Sequence, residues 1–313
     1  MKIGLNFSKP CLGLLPILLA SFLAGCGGGS GLDPILGSDG PAASTANATQ
    51  GTGVSTNDNS SNSNSNNPGT PNGNAQINAP SLGTASTFGV FGGAAGVTNQ
   101  GINTIINGNL GTTAACSLNT GIHDASNSYD QTTLNVGGVN GTIYCGPPAP
   151  GTVATLAIAT QVKADIQNAY NTLAAMPPGS DPGAGQLGGL VLAPAVYTAA
   201  GGTFNLTSGN LTLDGQGNGN AVWVFQSAAA LTVGLSATPR SVTLINGAQA
   251  KNVFWKVGSA ARIENGSTMV GTIIAPAGVT ISTAGALAQT TLIGRALSLV
   301  ASVTMVNTTI VAP

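Results

Sequence analysis

Short β-branched runs separated by small-residue corners recur from residue 190 to residue 311. Each run is too short to bury a sheet face alone, and no helical period lies between the runs. Many brief strands at regular spacing are typical of a sandwich, a barrel or a stacked coil. The runs lie at 203–206, 211–213, 221–225, 231–233, 241–245, 252–257, 269–275, 279–282, 291–295, 302–305 and 307–311.

The corners between these runs favour the stacked coil, a parallel β-helix. Hairpins would need recurrent Asn-Gly or Asp-Gly pairs in two-residue loops. Here the corners are small residues around single kinks, as at Gly258-Ser259 and Ala277-Gly278. A narrow coil interior also agrees with the 46 glycines and the aromatic content of 4%. We therefore predict an all-β solenoid.

Charged residues are scarce and balanced in this chain. They make up 5% of 313 residues, and the net charge is −1, against about 25% charged residues in an ordinary globular protein. Neither nucleic acid nor an acidic surface is a natural partner for such a chain. The single histidine, His123, removes most routes to His-based catalysis or metal binding, so we expect no cofactor and no metal.

The N-terminal region has the pattern of an export signal followed by a tether. Two lysines precede an apolar run in residues 1–26, which is too short for a membrane span. The residues Leu23-Ala24-Gly25-Cys26 resemble a bacterial lipobox, which implies a lipid on Cys26 and an anchor in the cell envelope, at the outer membrane or cell surface. Ordinary secretion is the alternative. Residues 27–80 are rich in Gly, Ser, Asn and Thr and are predicted to stay disordered.

Residues 112–151 are polar and irregular, and Cys116 and Cys145 lie inside this stretch. In an exported protein these two cysteines should pair, closing a loop of about 30 residues and stabilising the fold by about 3 kcal/mol. A solenoid end exposes unpaired strand edges, so something must cover it. We predict that 112–151 forms this cap.

One helix is predicted, at residues 152–176. Pro150-Gly151 precede it and Pro177-Pro178 follow it, which are start and stop signals. Its apolar residues recur at three and four positions and form one stripe. We expect the helix to lie along one side of the solenoid and to bury that side.

The domain from 81 to 313 resembles the ice-binding-protein-like family of bacteria and fungi. The resemblance rests on LGTASTF (82–88), GGLVLAPAV (188–196), LTLDGQ (211–216), VWVF (222–225), LINGAQAKNVFWKVGS (244–259), GTIIA (271–275) and GRAL (294–297). It implies a right-handed discontinuous parallel β-helix of triangular section, with the helix against one face. It also implies adsorption to ice through another, flat face, which limits ice growth or recrystallisation or attaches the cell to ice. A surface adhesin or glycan-binding module without ice affinity is the alternative.

Active members of that family show a Thr-(Ala/Gly)-x-(Thr/Asn) pattern on successive rungs, and this chain carries it in degenerate form at 207–210, 265–268 and 283–286. Threonine suits an ice surface because its branched side chain is stiff and places a hydroxyl beside a methyl. The resemblance implies these ice-binding residues: Thr207, Asn210, Thr232, Asn265, Ser267, Thr268, Thr280, Ser282, Thr283 and Ser302. The basic residues Lys251, Lys256, Arg262 and Arg295 are expected at edges or rims.

Enzyme activity is the other possibility on a β-helix, and the residues do not favour it. Lyases and hydrolases need clustered carboxylates or bound cations in a cleft. Asp214 and Glu264 are isolated in the sequence, and no Gly-x-Ser-x-Gly elbow, phosphate loop or zinc spacing occurs. We expect a monomeric, non-enzymatic protein whose partner is the ice surface and whose link to the membrane is the lipid on Cys26.

Overall fold

The computed structural model describes residues 77–313, which contain one helix and 22 strands. The predicted signal segment 1–26, with Cys26, and the tether as far as residue 76 lie outside the described residues. The helix is α1 (Val153–Ala175). The strands are β1 (Phe88–Gly92), β2 (Val97–Asn99), β3 (Ile105–Asn107), β4 (Asn109–Ala115), β5 (Ile122–His123), β6 (Ser128–Tyr129), β7 (Gly137–Val139), β8 (Ile143–Gly146), β9 (Val191–Leu192), β10 (Val196–Thr198), β11 (Phe204–Leu206), β12 (Leu211–Asp214), β13 (Trp223–Ser227), β14 (Leu231–Val233), β15 (Val242–Ile245), β16 (Val253–Val257), β17 (Ala261–Ile263), β18 (Thr268–Ala275), β19 (Val279–Ile281), β20 (Thr290–Ser298), β21 (Val303–Met305) and β22 (Thr308–Val311).

The strands stack in parallel ladders. They form sheet A with 13 strands, sheet B with the order β11-β14-β17-β19-β21-β2, and sheet C with the order β15-β12-β9. Among the described strands, only the short pair β5 and β6 is antiparallel. Parallel pairing of strands that follow one another around a coil excludes a hairpin-built sandwich. The predicted solenoid of parallel strands with one helix is confirmed.

The order of the coils does not follow the order of the sequence. The early strands β1, β2 and β3 pair with the late strands β20, β21 and β22. The described part of the chain thus enters the stack beside its last coils, extends the stack through β4, β7 and β8, and passes back along it through α1. A helix of 23 residues is about 35 Å long, enough to pass about seven rungs at about 4.8 Å each.

All eleven runs picked from the sequence are strands or overlap strands. The short strands β9 and β10 were not among the runs, and β17 was also missed. In this strand Ala261, Arg262 and Ile263 follow the same inward–outward–inward pattern as the neighbouring strands. The outward position of β17 holds the charged Arg262 where its neighbours mostly hold threonine, so a pattern of β-branched residues does not indicate this strand.

The interior of the coils is apolar and includes an aromatic stack. Tyr197, Phe225 and Trp255 lie in register on adjacent strands. Their ring centroids are 5.4 and 4.0 Å apart. The indole nitrogen of Trp255 donates to the carbonyl of Val270 at 2.8 Å, so its one polar atom is satisfied inside the core. Fully burying a side chain of this kind contributes about 1.5–3 kcal/mol.

Helix α1 covers part of the outer side of sheet A. Thr152 caps its first turn, with its side chain accepting from the Thr155 amide. The predicted stripe is buried, and it meets outward-facing apolar side chains of sheet A: Ala159, Val162, Ile166, Ala169 and Leu173 pack on Phe88, Phe91, Val224, Phe254, Ile274 and Leu297. In residues 77–313, no helix is long and apolar enough to cross a membrane.

Both borders of the folded region differ in detail from the sequence expectations. The Cys116–Cys145 disulfide is present. The region between these cysteines is more regular than predicted, because β5, β7 and β8 continue the ladders of β3 and β4. At the other border, Ile77 packs against the cluster beneath the helix and Pro80 is buried. Packing therefore begins before residue 81, where the sequence predicted the folded domain to start.

Candidate functional site

The outer side of sheet B carries one polar side chain per rung at the same register position. We call this set the sheet B row. In each strand the two flanking residues point inward and are buried, while the central residue is half-buried on the outside. Strand pairing places the members side by side, and isolated bridges add one at each end: Gln186, Asn205, Thr232, Arg262, Thr280, Thr304, Thr98 and Thr120.

The local sequence explains why these side chains point outward. Alternate side chains of a strand face opposite sides, so a short apolar–polar–apolar triplet buries both ends and exposes its centre. Val279-Thr280-Ile281 and Val303-Thr304-Met305 have this form. Because neighbouring strands pair without a register shift, the central residues repeat at about 4.8 Å along the stack.

The hydroxyl groups of the row are available to solvent. Within residues 77–313, the side chains of Thr98, Thr120, Thr232, Thr280 and Thr304 make no hydrogen bond to the protein, although the partners of other threonines are well defined, such as Thr84 with Asp165. The described contacts of α1 are to sheet A, so the helix does not cover this row. The row can therefore order water through hydroxyls that are held in place by stiff, β-branched side chains.

One rung of the row is charged. Arg262 lies between Thr232 and Thr280 in register, and its guanidinium pairs with the Glu264 carboxylate. This corrects the expectation that the basic residues lie at rims. Arg295 departs from it as well: the side chain is 3% exposed and donates to the backbone oxygens of Ser86 and Pro313 at 2.7 Å.

Three of the residues expected from the sequence lie on or beside the row. Thr232 and Thr280 are members of it. Ser302 immediately precedes β21 and is half-buried. Thr207 lies just after β11, and its hydroxyl accepts from the Gln186 side chain at 2.8 Å, so it acts as part of the local backbone and side-chain framework.

Two expected residues cannot form part of any contact surface. Ser267 and Ser282 have 0% and 1% of their surface exposed. Ser267 accepts from the Arg240 amide at 3.1 Å, which makes it part of a corner. Asn210 has a similar role, since its side chain accepts from the Ser241 amide at 3.0 Å. Asn265 lies in the turn between β17 and β18.

The last two expected residues are not members of the row, but one of them is hydrogen-bonded to a member. The Thr283 hydroxyl accepts from Arg262 at 2.8 Å. Thr268 begins β18, where it is in register with Thr291 of β20, and Thr291 is in register with Thr309 of β22. These three threonines form a separate ladder on another face, which we call the β18 ladder.

Six row members were not expected there from the sequence: Thr98, Thr120, Thr304, Asn205, Gln186 and Arg262. The family pattern drew attention to the residues around the corners, whereas the row comes from the strand centres. The apolar–Thr–apolar triplet would have selected Thr304, but it also selects Thr212 and Thr243 of sheet C. Thr98 and Thr120 come from the early part of the chain, and only the pairing of β2 with β21 brings them to the row.

The chemistry of the row is that of a neutral, repetitive adsorption surface. No group of three or more His, Cys, Asp or Glu side chains is placed to hold a metal ion in the described part of the chain. The row offers hydroxyls, methyl groups and two amides, with a single ion pair. Such a surface can organise water and contact an uncharged lattice.

Comparison with known proteins points to one family. The ice-binding protein of Nostoc sp. is 38% identical over 202 residues, covering 64% of this chain and 64% of that protein. Ice-binding protein 1 of Shewanella frigidimarina is 34% identical over 221 residues, covering 66% of this chain and 23% of that protein. The solved domain of the Shewanella protein superimposes with a TM-score of 0.62 at 28% identity, covering 74% of this chain and 97% of the domain.

The matches to these relatives leave part of each relative uncovered, since this chain spans less than two thirds of the Nostoc protein and about a quarter of the Shewanella protein. A family model described as ice-binding-like matches residues 91–311. That match takes in most of the chain and every member of the sheet B row. The protein belongs to the ice-binding-like family.

Proposed function

We propose that this protein adsorbs to ice through the outer side of sheet B. The observation that carries the proposal is the sheet B row, in which threonines with unengaged hydroxyls stand in register on a face without the helix. Parallel pairing holds the hydroxyl and methyl groups at one repeat, so water ordered over one rung continues over the next. In a right-handed coil of triangular section this face would be flat.

The rest of the surface supports adsorption to an uncharged partner. Charged residues are 5% of the chain, and ice offers oxygens and hydrogens without net charge. A rigid, neutral surface loses little entropy when it meets a lattice, because its side chains are already fixed. Bound protein would limit growth or recrystallisation of ice near the cell, or hold the cell against ice.

The cellular setting is part of the same proposal. The Cys116–Cys145 disulfide supports an oxidising compartment outside the cytosol. Cys26 would carry the lipid that anchors the chain to the cell envelope, and the Gly/Ser/Asn-rich stretch before residue 77 would separate the ice-binding domain from the membrane. We propose that the domain acts as a monomer.

The test is partition of the purified full-length chain between water and slowly growing ice, together with grain size in frozen sucrose. Adsorption predicts that the protein enters the ice and that grains stay small. Exclusion from the ice with normal coarsening would contradict ice binding and favour an adhesin on the same scaffold. A denatured sample of the same chain is the control for non-specific trapping.

A further inference from the structure

The charged rung of sheet B divides the row into unequal parts. Gln186, Asn205 and Thr232 lie on one side of Arg262. On the other side, four threonines follow without interruption, and we call them the four-threonine ladder: Thr280, Thr304, Thr98 and Thr120.

The ion pair is fixed in place by several contacts. The Arg262 Nε donates to Glu264 Oε1, and Nη2 donates to Glu264 Oε2 at 3.2 Å. The same Nη2 donates to the Thr283 hydroxyl at 2.8 Å. The guanidinium is thereby directed over the rung of β17 toward the rung of β19.

The pair is also partly hydrated. The side chain of Arg262 is 42% exposed, whereas that of Glu264 is 10% exposed. A lattice placed on this rung would displace water from a charged group, and removing that hydration is costly. Water around the exposed guanidinium also orients to the charge, which conflicts with the neutral arrangement over the neighbouring threonines.

We propose that the Arg262–Glu264 pair confines ice contact to the four-threonine ladder and weakens adsorption over the rest of sheet B. This inference rests on the proposed function. It makes Arg262 the residue that sets the strength of the site, and it predicts that a neutral residue there joins the two parts of the row.

The first variant is R262T/E264S. Both charges are removed together, because Arg262 replacement alone would leave the mostly buried Glu264 carboxylate without its partner. The charge-matched control is D214N/K251T, which removes one acid and one base away from sheet B. Asn at 214 keeps the oxygen that accepts from the Gln216 amide and the Asn246 side chain.

The reciprocal variant is T98R/Q100E. Gln100 follows Thr98 by two positions, as Glu264 follows Arg262, so this change copies the charged pair into the four-threonine ladder. Circular dichroism melts of all variants exclude unfolding as the cause of a change.

The measurement is the lowest protein concentration that inhibits ice recrystallisation. The expected result is about a tenfold lower concentration for R262T/E264S, which corresponds to about 1.4 kcal/mol, no change for D214N/K251T, and loss of inhibition for T98R/Q100E. Unchanged inhibition by R262T/E264S, with a wild-type chain that is active, overturns the inference and places Arg262 outside the contact. A wild-type chain without activity instead contradicts the proposed function itself.

Discussion

Sheets A and B are built from the same stacked coils, yet the helix packs against the outer side of sheet A and leaves that of sheet B open to water. On the part of sheet A that faces α1, the outward residues are large and apolar, and α1 buries them. On sheet B the outward residues are mainly threonine, and they stay half-buried and open to water. The backbone has the same regular spacing in both cases. The outward side chains therefore decide whether a face packs against the helix or stays exposed to solvent.

The difference separates stability from function. Outward side chains of sheet A remove apolar area from water when the helix packs on them, which contributes to folding. Outward threonines of sheet B make no side-chain contact of that kind in residues 77–313, and changing them should leave the fold intact. Because the outward residues of sheet B contribute little to stability, they can be those that suit contact with a partner.

The largest expected effect breaks the packing of sheet A. Phe91 is fully buried beneath α1, so F91A should lower the free energy of unfolding by about 3–5 kcal/mol through lost burial and a cavity. The matched change on sheet B, T304A, should stay within about 0.5 kcal/mol of wild type. Urea unfolding measures both, and equal losses would contradict the division between the two faces.

Removing the disulfide tests how much the end of the stack, where the row ends at Thr120, contributes to stability and to ice inhibition. Cys116 and Cys145 are 29 residues apart, and a loop of this length stabilises by about 3–4 kcal/mol. C116S/C145S should lower the free energy of unfolding by that amount in thermal or urea melts. Ice inhibition should fall less steeply, since Thr280, Thr304 and Thr98 lie on strands outside the loop. A complete loss of inhibition in a variant that is still folded would show that the last rung dominates the site.

The smallest effect concerns the hydrogen bonds between α1 and the segment that precedes β1. Thr84 donates to the Asp165 carboxylate from its hydroxyl at 2.6 Å and its amide at 2.7 Å. The hydroxyl bond is the main reason that the pKa of Asp165 is lowered. A lowered pKa in the folded state means that the contribution to stability is present above the unfolded value of about 3.9 and is lost as the pH falls through the folded value.

The variant D165N should therefore be slightly less stable than wild type near neutral pH, and the two unfolding curves should converge once the pH falls well below about 4. Urea midpoints measured across this range provide the check. Because Asp165 is only half-buried, the difference should be small, and ice inhibition should not change. A constant gap at all pH values would show that the tie depends on geometry and not on the charge of the carboxylate.

The fold could be predicted from the sequence to a large extent, because patterns along short runs report inward and outward positions. The helix was found from its stripe and its proline boundaries, and α1 begins one residue after the predicted start. The disulfide followed from two cysteines in an exported chain. Strand β17 escaped because Arg262 replaced the expected β-branched residue.

The sheet B row could be predicted less well, for a physical reason. Membership of the row depends on which strands are neighbours, and the pairing of β2 with β21 joins residues about 200 positions apart in the sequence. The sequence identifies Thr280 and Thr304 as outward residues but not the sheet on which they lie. The family pattern led us to expect Thr268 in the site, and the structure places it in the β18 ladder.

The most direct measurement compares two pairs of tyrosine substitutions in the ice partition assay. T98Y/T304Y places bulky side chains on adjacent rungs of the sheet B row, and T268Y/T291Y does the same on the β18 ladder. None of these four threonines makes a side-chain hydrogen bond within residues 77–313, so both variants should fold as wild type. We expect T98Y/T304Y to be excluded from ice and T268Y/T291Y to enter it as wild type does. The reverse result would contradict the assignment of sheet B and move the site to the β18 ladder.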